Sequence, residues 1–248
     1  MCLHGFTDTW RTWELVLPAL ERRHEVLAPA LAGHAGGPPL PARVDAATLP
    51  DAVERAMDAA GLDAAHLVGN SLGGYVALRL AERGRALSVT ALAPAGGWAR
   101  DDHSYRDVLA GFVARHRGQI ASAARADAVV STPERRRAAT RLYVVNHEHL
   151  PAELLAHQLV GAARCAVEPL VECALREGYP LEPAAIACPV RVVWGRDDLI
   201  LPWPATARRY LDEALPQADW VELDGVGHCP QLDVPTETAQ LVLDFTAR

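Results

Sequence analysis

The feature that most constrains this chain is "GNSLGG" at residues 69–74, set between the apolar run "AAHLV" and the helical pattern "YVALRLAERG". A short apolar run, a glycine-bracketed serine and a segment of helical period form a strand–turn–helix unit. The spacing is G-x-S-x-G. Glycines at 69 and 73 let the strand and the helix approach closely, where side chains would collide. The sharp turn exposes the Ser71 hydroxyl at the carboxyl end of the strand. It also sits beside a helix N-terminus, whose free N–H groups favour developing negative charge. The competing reading, a glycine-rich turn exposing an idle serine, makes the flanking strand and helix a coincidence.

The rest of the chain is organised in the same way. Short apolar runs alternate with helical patterns, which predicts α/β units and a mostly parallel, doubly wound sheet. About six strands are expected: residues 1–4, "HEVLAPAL" (24–31), "AAHLVGN" (64–70), "LSVTALAPAGG" (87–97), "PVRVVWG" (189–195) and "ADWVELD" (218–224). "LPDAVERAMDAAGL", "WPATARRYLDEAL" and "PTETAQLVLDF" read as helices. Residues 98–188 carry no strand pattern and read as helical throughout. The expected organisation is therefore a core of residues 1–97 and 189–248, with an all-helical insertion at 98–188. Within it, Ser131 and Glu134 stand at capping-box spacing around Pro133. The arginines at 135–137 read as a solvated helix face rather than an anion site.

Composition narrows the function. A chain of 248 residues can bury a full core, and its formal net charge of -7 argues against nucleic acid or an anionic membrane as partner. All 24 basic residues are arginine, a bias that carries no functional weight. Five cysteines, an odd number with no CxxC pair, argue against a disulfide framework or a zinc site. No apolar stretch approaches the ~18 residues of a membrane span, and no secretory leader precedes the core. The expectation is a cytoplasmic protein with reduced thiols and a small-molecule substrate; monomer and homodimer stay equally open.

A nucleophilic serine needs a base, and the base an orienting acid. Ten histidines compete. His228 stands out in "DGVGHCPQLDVP", a glycine-flanked loop after the last expected strand, where open α/β sheets place their ligands. The acid candidates are Asp197 and Asp198 in "WGRDDLILP", directly after another strand. The chain order Ser, Asp, His is one of the known orders for such a constellation.

With these residues in place the sequence resembles the α/β-hydrolase superfamily over almost its whole length. "HGFTDTW" is similar to its oxyanion loop, "GNSLGG" to its nucleophile elbow, "VVWGRDDLILP" to its acid loop and "GVGHCPQLDVP" to its histidine loop. The resemblance implies Ser71 as nucleophile, His228 as base and Asp198, three residues after Gly195, as the acid. It implies backbone N–H groups of Phe6 and Leu72 as the oxyanion hole, no cofactor and no metal. The helical insertion becomes a cap. Asp101 and Asp102 are the reserve acids, since some relatives carry the acid after the preceding strand. Ala30 stands where many relatives have an aspartate before their "GHxG" loop.

The implied activity is hydrolysis of a small-molecule carboxylic ester or related acyl bond. Asn70 before the serine is also similar to hydrolases of carbon–carbon bonds in ring-fission products. Cofactor-free perhydrolysis and a non-catalytic ligand-binding role complete the alternatives. His4 and His34 are expected to support their loops, and Cys229 to be an idle thiol. Trp98, Phe112, Tyr143 and Trp203 are candidate pocket residues. Two strands usually precede the oxyanion strand in this superfamily, which leads to the expectation of ~20–30 residues upstream of Met1.

Overall fold

The computed structural model describes residues 1–247. Five strands form one parallel sheet in the order β1 (Cys2–Leu3), β2 (Ala65–Asn70), β3 (Ala86–Leu92), β4 (Val190–Gly195) and β5 (Asp219–Leu223). Each strand lies beside its predecessor in the chain, so every crossover steps the same way across the sheet. Right-handed crossovers that step one way place their helices on one face. Accordingly α1 (Thr48–Ala59) and α2 (Leu72–Glu82) pack on the face lined by Leu3, Leu67, Val89, Ala91, Val192 and Trp194. The alternate residues Cys2, Val68, Leu92 and Val193 face the other layer, with Trp13, Leu20 and the helix at the carboxyl end of the chain. Successive side chains on a strand point to opposite faces, so continuous apolar runs are what a sheet covered on both sides requires.

Residues 24–31, read above as a sixth strand, form no ladder. They run extended beside β1 and are joined to it by a backbone hydrogen bond from Cys2 N to Leu27 O at 2.8 Å. β1 spans two residues, too few to template a repeating ladder on its outer side. The imidazole of His4 supplies a second tie, accepting the N–H of Leu31 at 3.0 Å.

Between β3 and β4 the chain is helical, as expected. The main elements are α3 (Tyr105–Ser122), α4 (Pro133–Thr140), α5 (Ala152–Ala163) and α6 (Val167–Glu177). Helix α4 is capped one residue later than the sequence suggested: Thr132 Oγ1 accepts the N–H of Arg135 at 3.3 Å, while Ser131 donates to Ala128 O. The arginines at 135–137 lie on an exposed or half-exposed face. Arg135 and Arg136 donate to backbone oxygens of the preceding turn. A third apolar cluster joins Val130, Val144, Leu154 and Leu155 of this region to Cys229 and Leu232 of the loop after β5. The last helix, α7 (Pro235–Thr246), closes the second layer. Among the described residues no helix is long and apolar enough to cross a membrane.

Candidate active site

Ser71 sits between β2 and α2 with φ 53° and ψ −116°, a backbone conformation that costs a non-glycine residue ~1–3 kcal/mol. Two glycines make the turn feasible. A Cβ at Gly69 would lie 2.2 Å from Gly73 O, and one at Gly73 would lie 2.1 Å from Leu3 O. The turn is held by backbone bonds: Ser71 N donates to Leu92 O at 2.8 Å, and Ser71 O accepts from Tyr75 and Ala95, both at 3.0 Å. The serine is thus fixed almost entirely by main chain, as the G-x-S-x-G spacing predicts.

Asp198 and His228 come from separate loops. The Asp198 carboxylate, 2 % exposed, accepts the N–H groups of Ile200 and Leu201 at 2.8 and 2.7 Å through Oδ1. Its Oδ2 lies 2.7 Å from Nδ1 of His228. That bond holds a proton on Nδ1 and leaves Nε2 as the free acceptor of the neutral ring. The acid strand and the histidine loop meet at Gly195, where a Cβ would fall 2.2 Å from Val226 O. Of the four aspartates considered from sequence, Asp198 is the one at His228. Asp197 accepts from Gly225 N at 3.0 Å, Asp102 accepts from Ser104 N at 2.8 Å, and neither bonds the imidazole.

Ser71, His228 and Phe6 line one cavity. Ser71, Phe6 and Leu72 line a second. The five residues singled out from sequence are therefore gathered here, with Asp198 behind the imidazole. Of the four aromatic candidates, Phe112 borders both cavities, Tyr143 the first and Trp98 the second. Trp203 instead stacks between Trp194 and Trp220, at 5.8 Å from each ring centre.

The loop carrying Phe6 is held by two buried histidines. His4 accepts Leu31 N–H at Nε2, so its Nδ1 donates to Gly5 O at 2.9 Å. His34 accepts Thr7 N–H at Nε2 (3.3 Å) and its Nδ1 donates to Ala32 O at 3.1 Å. Each ring must be neutral to accept at Nε2. Burial lowers the pKa of His4 to about 4 and that of His34 to about 3. Both act as loop supports, in line with the sequence expectation.

Two polar residues of the site, Asp8 and Asp233, escaped the sequence reading, and a third, Asn70, was noted there only for its place before the serine. Asn70 donates through Nδ2 to His228 O (2.9 Å) and Leu92 O (3.2 Å), and accepts at Oδ1 from Gln231 (3.2 Å) and Cys229 Sγ (3.5 Å). It ties the nucleophile strand to the histidine loop. Asp233, 2 % exposed, takes four donors: Gly227 N at 2.6 Å, Val145 N at 2.9 Å, Asn146 N at 2.7 Å and Asn146 Nδ2 at 2.8 Å. Through it the helical insertion grips the residue next to His228. Asp8 lines the first cavity with Ser71. The signal for Asp233 was its place five residues after His228, but no local rule gives it partners 87 residues away. Cys229 is buried, and burial pushes its thiol well above the ordinary range, which suits an inert packing role.

The sequence matches a model of the alpha/beta hydrolase family over residues 1–241. The chain belongs to this family. The α/β hydrolase described here is 34% identical over 209 residues to epoxide hydrolase EphH of Mycobacterium tuberculosis, a match covering 82% of this chain and 95% of that protein. It is 31% identical over 207 residues to a putative carbamate hydrolase, RutD, of Klebsiella pneumoniae, over 80% of this chain and 72% of the relative. Among solved structures, a bacterial membrane phospholipase A superposes with a TM-score of 0.75 at 25% identity, over 99% of this chain and 77% of its own. A meta-cleavage product hydrolase of Pseudomonas fluorescens shares the fold at a TM-score of 0.71 and 19% identity, over 99% of this chain and 89% of its own. The protein is accordingly a hydrolase.

Proposed function

We propose that this hydrolase cleaves a small-molecule carboxylic ester or related acyl bond through an acyl-enzyme on Ser71. The observation that carries the reading is the 2.7 Å bond from His228 Nδ1 to the buried Asp198, on the wall of the cavity that Ser71 lines. In the mechanism, His228 Nε2 takes the Ser71 proton as Oγ attacks the acyl carbonyl. The tetrahedral oxyanion is received by the N–H groups of Phe6 and Leu72, and losing one such donor costs ~2.7–4 kcal/mol of transition-state stabilisation. His228 then protonates the leaving group, and water hydrolyses the acyl-enzyme by the same steps. Asp198 holds the tautomer and stabilises the imidazolium. Residues 98–188 serve as the cap over this centre.

The chemistry of the nucleophile separates this reading from epoxide opening. A hydroxyl attacking an epoxide carbon leaves an alkyl ether on Ser71, which His228 and water cannot cleave. A carboxyl or carbamoyl group on Ser71 is an ester, which they can. Carbamates therefore fall within the proposed class. The carbon–carbon alternative drew on Asn70, whose amide is engaged at both ends by the protein; the motif thus has a structural role without any special substrate.

The test is labelling with a fluorophosphonate, followed by a panel of esters, carbamates and epoxides. Ser71 is the expected labelled residue, and Ser71→Ala should lose both labelling and ester turnover. Folded protein that resists the probe, or epoxide turnover that survives Ser71→Ala, would overturn the proposal.

A further inference from the structure

The two cavities that meet at Ser71 differ in chemistry. Their partition is an edge-on pair of rings, Phe6 and Phe112, with centres 5.0 Å apart, and both rings border both spaces. Beyond the pair on one side lie Leu49, Trp98, Leu109, Leu170 and Ile200, a largely apolar surface. On the other side Asp8, Gln119, Tyr143 and Gln158 stand among Val130, Val144, Leu155 and Leu232, so that cavity is apolar with a polar corner.

Asp8 is the unusual member. Its Oδ1 accepts the N–H of Thr9 at 2.7 Å and Nε2 of Gln158 at 2.9 Å. The Thr12 hydroxyl is a further donor to this carboxyl. All three donors are neutral, and a carboxylate has about four acceptor positions. Among the described residues no arginine or histidine forms an ion pair with Asp8. Burial pushes its carboxyl pKa up, in spite of those donors. The charge of His157 favours the ionised form weakly but forms no ion pair with it, and a half-buried acid held by neutral donors is an uncommon arrangement. Gln119 adds an acceptor to the same cavity: its Oε1 is buried with no hydrogen-bond partner among the described residues. Local rules broken without internal compensation gather where a ligand completes them.

We propose that Asp8 is a substrate-recognition residue: the polar corner of the first chamber receives a substrate group bearing a hydrogen-bond donor, an ammonium or a hydroxyl, while the second, apolar chamber receives a hydrocarbon or aryl arm. The inference rests on the acyl-transfer reading of Ser71. It names the substrate class as an ester or carbamate that is amphipathic about its scissile bond, with the donor on one side and the apolar arm on the other. The Phe6–Phe112 pair keeps the two arms apart, and Ser71 meets the carbonyl between them.

The test uses two series of esters with a common apolar arm. In one the acyl chain ends in an ammonium, a hydroxyl or a methyl group; in the other the alcohol part carries the same three ends. The unaltered enzyme should prefer ammonium or hydroxyl to methyl by at least tenfold in kcat/KM within one series. Asp8→Asn should reduce that ratio at least tenfold, mainly through KM. A loss confined to the ammonium ester identifies charge recognition, and equal losses for ammonium and hydroxyl identify a neutral hydrogen bond. No preference in either series, or a ratio unmoved by Asp8→Asn, overturns the proposal. Should the variant fail to fold, the preference of the unaltered enzyme decides. Fluorophosphonate labelling separates the two levels: a labelled enzyme without preference defeats only the role of Asp8, and an unlabelled one defeats the reading beneath it.

Discussion

The nucleophile elbow and the histidine loop are both turns at strand ends, yet they are held in opposite ways. The elbow's glycines lie within five residues of one another, and their hydrogens stand where a methyl group would overlap backbone atoms of the elbow and of the adjoining strand β1. The histidine loop is fixed from far away in sequence: by Asp198 30 residues earlier, by Asn70 158 residues earlier, and by Val145 and Asn146 through Asp233. Sterics of neighbouring backbone make one; polar contacts between remote segments make the other. The difference teaches that the position of Ser71 is set by the sheet and its turn, whereas that of His228 depends also on contacts with the helical insertion.

That contrast can be broken experimentally. The largest effect is expected at the junction of the two regions. Asp198→Asn leaves the elbow intact but removes the negative partner of the imidazole, and kcat for an ester should fall ~10⁴-fold with little change in KM. Gly73→Ala attacks the elbow alone. Its Cβ would overlap Leu3 O, so a loss of at least ~3 kcal/mol in chemical denaturation is expected, more than most single substitutions cause. Asp233→Asn attacks the histidine loop alone. The amide turns an N–H₂ toward backbone N–H groups, which should cost about 2–3 kcal/mol and lower the labelling rate of Ser71. Asn146→Ala, which removes one of the Asp233 bonds and a second bond to Gly225 O from the insertion side, should lower labelling in the same direction by less. Equal labelling in the unaltered protein and Asp233→Asn would show that docking of the insertion does not position the base.

The smallest effect concerns the oxyanion loop. His4 and His34 have folded-state pKa values lowered to about 4 and about 3, below the usual 6.5 of an unfolded chain. Between those limits the unfolded chain binds more protons, so stability is complete above about pH 7 and declines as pH falls. From pH 7 to pH 5.5 two such groups should remove about 2 kcal/mol, measurable by denaturation at each pH. His34→Gln should halve the slope; a flat profile over this interval would show that the rings are not held neutral.

How much of this was legible in the sequence follows from range. Ser71 and its glycines declare themselves because their constraint is local. Asp198 and His228 are legible as polar residues in loops at strand ends, though the sequence alone left Asp197 beside Asp198. The strand expected at residues 24–31 has the right apolar content, but pairing depends on its neighbour, and β1 is two residues long. Asp8 and Asp233 could not be read at all, and Asn70 was read only as a motif residue, not as a tie to the histidine loop. Each looks like an ordinary polar residue until the fold brings up partners 150, 87 and 158 positions away.

The tie between Asn70 and the histidine loop spans 158 positions, and it has a consequence in time. Chains fold from the amino end as they are made. Ser71 is translated long before His228, the base of the proposed mechanism, and the insertion that contacts the histidine loop comes between them. A nascent or truncated chain thus presents a bent serine without a proton acceptor. Under the proposed mechanism, reactivity toward acyl bonds is withheld until synthesis and docking are both complete.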